Sequence, residues 1–201
     1  MNHDTARQER EAATVRLLAS IGEQPDREGL RGTPARVARM WDELTAGYDA
    51  DIDALLMSSV TGDCGFSCPD YDQMIVLRHI GFVSMCEHHL MPFIGEASVA
   101  YLPGEDGRVV GVSKLARVVE AFARRLQIQE RMTQQIADAI NTGLSPAGVG
   151  VHVRARHLCM VARGVKQQDA HMETTVLLGS FRQDARTRAE FMRAIQGGGH
   201  E

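Results

Sequence analysis

The chain has 201 residues, 44% of them hydrophobic and 24% charged, with a formal net charge of -4. That length supports one sizeable core with a small appendage, and the composition is that of an ordinary soluble globular protein. The acidic balance argues against nonspecific nucleic-acid binding, no apolar run approaches bilayer length, and residues 1–11 are polar with no signal-peptide core. These properties predict a cytoplasmic protein with no nucleic-acid or membrane partner, whose four cysteines are thiols or ligands and not disulfides.

In chain order, Ala12, Val15, Leu18 and Ala19 recur at helical spacing and predict a helix over residues 5–21, ended by Gly22. Thr33-Pro34 reads as the cap and first turn of a second helix. Its apolar stripe is Val37, Met40, Trp41 and Leu44; Arg36 and Arg39 project elsewhere, and Gly47 stops it. Residues 1–60 are thus expected to be a helical lead-in to a main domain over residues 61–196. Residues 60–72 read as loop; Cys64 and Cys68, with no nearby histidine to complete a site, are read as loop residues, with a disulfide or a second metal as the alternatives.

Residues 74–83 and 96–102 read as strands joined by a bend that Pro92 and Gly95 shape. Ser113 is expected to cap a helix whose face is Leu115, Val118, Val119, Phe122 and Leu126. A second helix carries Ile128, Met132, Ile136 and Ile140 and ends around Gly143. Alternation over residues 149–159 predicts a strand with His157 and Cys159 on one face. A fourth strand over 174–181, a closing helix over 184–195 and a disordered tail over 197–201 complete the chain. The order β-β-α-α-β-β predicts an α+β fold: an antiparallel sheet with two helices on one face. Its other face and its edges are left uncovered, which favours homo-oligomerisation.

The chemistry centres on Cys86-Glu87-His88-His89, on the bend between the first two strands, and on His157-Leu158-Cys159 far downstream. Cys86 and His89, three residues apart, can reach one divalent metal, most plausibly zinc, with Cys159 as third ligand. Two thiolates and one imidazole leave a fourth position for water, as catalytic zinc sites do. His88 and His157 remain as proton carriers near neutral pH. A closed structural zinc, with one of those histidines as fourth ligand, is the alternative. Ser113, Lys114 and Arg117 lie near a helix start, where backbone N–H groups favour anions. Arg163 follows Cys159 by four residues, and Gln129-Glu130 offers a carboxylate suited to a guanine edge.

Four motifs carry a resemblance over most of the chain. Cys86-Glu87-His88-His89, Gly111-Val112-Ser113-Lys114-Leu115, Gln127-Ile128-Gln129-Glu130-Arg131 and His157-Leu158-Cys159-Met160-Val161-Ala162-Arg163-Gly164 resemble the successive motifs of the GTP cyclohydrolase I family. The resemblance implies a tunnelling fold (T-fold) in a homo-oligomeric barrel, a homodecamer with active sites between subunits. It implies conversion of GTP and water to 7,8-dihydroneopterin triphosphate and formate. By position, Cys86, His89 and Cys159 would hold Zn2+, and His88 and His157 would move protons. Gln129 and Glu130 would hold the guanine, and Ser113 and Lys114 would sit near the ribose and phosphates. Arg117, Arg163, Arg36 and Arg39 would grip the triphosphate, some from a neighbouring subunit.

The chain departs from the family pattern at His79, Glu96 and Arg154, where an aspartate, a lysine and an acid are usual, and at Met172-Glu173. Glu96 and Arg154 are expected to form an ion pair on adjacent strands. The alternatives are a paralogue that stops at a ring-opened formamide or takes another purine nucleotide, and a non-catalytic zinc-stabilised scaffold.

Overall fold

The computed structural model describes residues 3–57, 66–67 and 71–196. Cys64, Cys68 and the 197–201 tail lie outside the described residues. The chain forms two compact units, Met1–Ala46 and Gly47–Glu201.

The first unit pairs α1 (His3–Ser20) with α2 (Thr33–Leu44). Gly22, at φ 87°, turns the chain after α1. Arg7 reaches Asp42 Oδ2 through Nε at 3.1 Å and Nη2 at 2.6 Å, and Arg10 takes the other carboxylate oxygen. The expected apolar stripes are only partly covered within this unit: Thr14 and Ala38 are the buried residues of the two helices, while Val15 and Met40 are 40% and 42% exposed. Thr33 does not cap α2. Gly32 holds the cap position, and Thr33 Oγ1 accepts from Arg36 Nη2 at 3.0 Å.

The second unit runs α3 (Ile52–Met57), β1 (Phe66–Ser67), β2 (Ile75–Cys86), β3 (Pro92–Leu102), β4 (Arg108–Val109) and α4 (Val112–Ala123). It continues with β5 (Leu126–Gln127), α5 (Gln129–Leu144), β6 (Gly148–His157), α6 (Leu158–Val161), β7 (Met172–Gly179), α7 (Ser180–Gln183) and α8 (Ala185–Gln196). The main sheet has the order β5-β2-β3-β6-β7 and is antiparallel except where β5 joins β2 in parallel at Met85 and Cys86. It is an α+β fold.

On one sheet face, Leu115, Val118 and Phe122 of α4 and Met132, Ile136 and Ile140 of α5 pack with Phe93, Val99, Val149, Val151 and Val153 of the strands. Each large aliphatic or aromatic side chain buried there contributes roughly 1.5–3 kcal/mol. α5 ends at Leu144, one residue past Gly143 as expected, with left-handed Ser145 at the cap position. A Cβ at 143 would lie 2.6 Å from Leu56 Cδ1, so the glycine lets α3 approach. Ser113 lies inside the first turn of α4, with Gly111 at the cap position and no side-chain cap.

The second sheet face is not wholly bare. Phe181 and Phe191 of α7 and α8 meet edge to face at 5.5 Å and pack with Ala100, over Gly148 and Gly150, where any Cβ would strike the Phe181 ring. Beyond this patch the face carries a row of charges: His79, Glu96, Arg154 and Glu173, on β2, β3, β6 and β7. Glu96 and Arg154 are cross-strand partners in the register, but their charges pair outward instead. His79 Nδ1 lies 2.8 Å from the Glu96 carboxylate, and Arg154 Nε lies 3.4 Å from that of Glu173. These four positions therefore fall in one row, with Met172 outside it.

Candidate metal centre and active site

Cys86 closes β2, and the chain turns tightly before β3. Leu90 N–H donates to Cys86 C=O at 2.8 Å, Cys86 N–H donates to Met91 C=O at 2.9 Å, and Leu90 adopts φ 51°. Cys86 is buried at the sheet end, while Glu87, His88 and His89 are exposed. On the far side, β6 ends at His157 and Cys159 falls on the helical turn α6, not on an extended strand.

Cys86, His157 and Cys159 offer ligand atoms that all lie within 4.8 Å of one another. Two soft thiolates and an imidazole at this spacing suit a borderline transition metal. Burial first, and then the neighbouring Cys86, push the Cys159 thiol above its ordinary pKa. Two thiolates so close are stabilised by a cation between them. His89 stands outside this cluster: Arg163 Nη1 donates to its Nε2 at 3.0 Å. Its ring meets that of His88 edge to face, with centroids 6.4 Å apart. The structure thus brings together one histidine that the sequence assigned to proton transfer and the two cysteines assigned to metal.

His157 stacks on Phe93 with ring centroids 4.7 Å apart and planes 2° from parallel. Its Nε2 lies 2.9 Å from Oε1 of Gln129, which is fully buried. The Gln129 amide nitrogen faces Val153 C=O at 3.1 Å, Met172 C=O at 3.0 Å and Thr174 Oγ1 at 3.2 Å. Flipping the amide would set its oxygen against two carbonyls, so Oε1 must be the atom facing His157. Nε2 of His157 is therefore the donor, and Nδ1 is the nitrogen of the neutral ring with a free lone pair. Burial lowers the pKa of His157, an effect that Glu130 partly offsets. Gln129 is committed to the protein, while Glu130 beside it is exposed.

Ser113 and Arg117 are exposed on α4 with Lys114 half-buried between them, and Arg163 is exposed after α6. Arg36 and Arg39 are exposed on α2 in the first unit. Arg131 escaped the sequence reading as a site residue. It pairs with Glu87 of the metal turn and holds that carboxyl below its ordinary pKa.

A family model for GTP cyclohydrolase I matches residues 10–196. The chain belongs to the GTP cyclohydrolase I family. Among relatives named GTP cyclohydrolase 1, one from Alkalilimnicola ehrlichii is 52% identical over 92% of this chain and 96% of its own length. Another, from Deinococcus radiodurans, is 48% identical over 93% of this chain and 83% of its own. One from Coxiella burnetii is 47% identical over 90% and 94% respectively. Membership of the GTP cyclohydrolase I family accords with a cluster built from two distant motifs, and with charged side chains on the helices that follow.

Proposed function

We propose that this chain is a zinc-dependent GTP cyclohydrolase that converts GTP and water to 7,8-dihydroneopterin triphosphate and formate, the first step of folate or pterin-type biosynthesis. The observation that carries this reading is the meeting of Cys86, His157 and Cys159 within 4.8 Å, in a chain of this family. Zinc, when bound, supplies a Lewis acid that activates water for attack on the purine at C8.

The protein's own groups do the rest. Cys86 and Cys159 provide the thiolates. His89, whose Nε2 accepts from Arg163 at 3.0 Å, would be the third ligand, leaving His157 to carry protons. Burial lowers the pKa of His157, and Nδ1 is the nitrogen able to accept a proton and return it during ring opening. His88, exposed next to His89 in the turn after β2, is the second proton carrier. Glu130 accepts two hydrogen bonds from the guanine edge, a task the Gln129 amide cannot share without giving up its buried partners. Ser113 and Lys114 approach the ribose and phosphates, and Arg117, Arg163, Arg36 and Arg39 bind the triphosphate.

Homo-oligomerisation through the sheet edges fits the same reading, and a decamer with sites between subunits is the assembly proposed. Among the described residues, no strand covers the outer edge of β7 or that of β2 before Met85. The charge row starts with His79 at one edge and ends with Glu173 at the other. Copies joined head to tail through these edges would set Glu173 of one beside the histidine of the next, a heterologous contact that can close a ring.

The ligand roles are tested by metal content. Cys159→Ala is expected to lose zinc. His157→Ala is expected to keep zinc and lose turnover by about 100-fold or more, and His89→Ala to lose zinc. Zinc lost from His157→Ala but kept in His89→Ala would exchange the two roles. Zinc bound with no consumption of GTP would indicate the scaffold instead.

A further inference from the structure

Arg131 lies in the first turn of α5, one residue from Glu130, and its side chain reaches back to Glu87 in the turn after β2. Its Nη2 bonds the Glu87 carboxylate and also donates to Leu126 C=O at 3.2 Å, while Nε donates to Gln127 Oε1 at 3.1 Å. Gln127 is fully buried and is fixed in turn, its Nε2 donating to Phe122 C=O and to Gln135 Oε1, both at 2.9 Å. The backbone ties the same two elements together: Glu87 N–H donates to Gln127 C=O at 3.1 Å, where Cys86 and Gln127 pair in parallel.

We propose that Arg131 is a positioning residue for the metal centre, holding through Glu87 the turn that presents Cys86 and His89. Glu87 is the residue between the thiol and the two histidines, so it can orient the turn without being a ligand. Fixing that turn beforehand removes ordering cost from metal binding, and partners of this kind change metal affinity by about 10- to 100-fold. The inference rests on the metal reading above.

The test measures Zn2+ affinity of the full-length protein by chelator competition, together with the thermal midpoint of the metal-free protein, for wild type, Glu87→Gln, Arg131→Met and the double variant. Both single variants are expected to weaken zinc binding about 10- to 100-fold, the double variant no more than either, and the metal-free midpoints are expected to stay close to wild type. Unchanged zinc affinity overturns the proposal. So do additive losses, or a loss of affinity that only follows a lowered metal-free midpoint. Glu87→Gln keeps the shape of the side chain and carries the test alone if Arg131→Met does not fold. Wild-type protein that binds no zinc would instead sink the metal reading itself.

Discussion

At Gln129 two amide hydrogens have three acceptors in reach, and the amide oxygen faces one imidazole nitrogen. Thr133 Oγ1 donates to Gln129 C=O at 2.7 Å, which leaves Thr174 to donate to Thr133, also at 2.7 Å, and so closes a satisfied buried network. Gln129→Leu is expected to orphan buried carbonyls at about 1–3 kcal/mol each and to free the His157 ring. Thermal unfolding should show the first effect, and a fall in kcat with zinc retained the second; a variant as stable and as active as wild type would remove the argument. The pair of thiols was legible in the sequence because few chemistries place cysteines and histidines at such spacing, although the histidine that lies with them is His157 and not His89. The commitment of Gln129 was not, since an amide that binds guanine and one that orients a histidine read alike. Arg131 and Glu87 both lie in quoted motifs, but nothing in their spacing says that they meet.

Among the elements, the pairing of β3 with β6 leaves no room for a side chain at Gly95, where a Cβ would lie 2.1 Å from Arg154 C=O and 2.6 Å from Ala155. Gly95→Ala is therefore expected to cost at least about 3 kcal/mol, because backbone and not a mobile side chain must yield. A denaturant midpoint equal to wild type would refute that account. In the first unit, hydrogen bonding from Arg7 holds the Asp42 carboxyl below its ordinary pKa. A depressed carboxylate stabilises the fold above its unfolded pKa, and that contribution is lost as pH falls through the lower folded value. Protection of the α1 amides, measured relative to the intrinsic exchange rate at each pH, should therefore fall on acidification toward about pH 3, and Asp42→Asn should show the reduced protection at neutral pH. The long strands and α4 and α5 were legible from alternation and helical spacing. The parallel pairing of two-residue β5 was not, because so short a strand has no period, and apolar alternation ran on through α6 and disguised the turn carrying Cys159.

For the molecule as a whole, the α+β architecture follows from the order of elements, whereas the halving of the second sheet face does not. Phe181 and Phe191 cover only the end where Gly148 and Gly150 make room, and the remaining end keeps its charge row. The expected pairing of Glu96 with Arg154 identified the correct strands and register but the wrong partners, since Glu96 hydrogen-bonds with His79 and Arg154 pairs with Glu173. If that row also joins copies, sedimentation should show an assembly that loosens as salt rises and loosens further in Glu173→Gln. A wild-type monomer at every concentration would reject edge pairing. No helix among the described residues is long and apolar enough to cross a membrane. Product analysis after incubating zinc-replete protein with GTP reads the proposed chemistry itself. Formate and 7,8-dihydroneopterin triphosphate should appear in equal amounts, with none from ATP. GTP left intact, or opened without release of formate, would contradict the account.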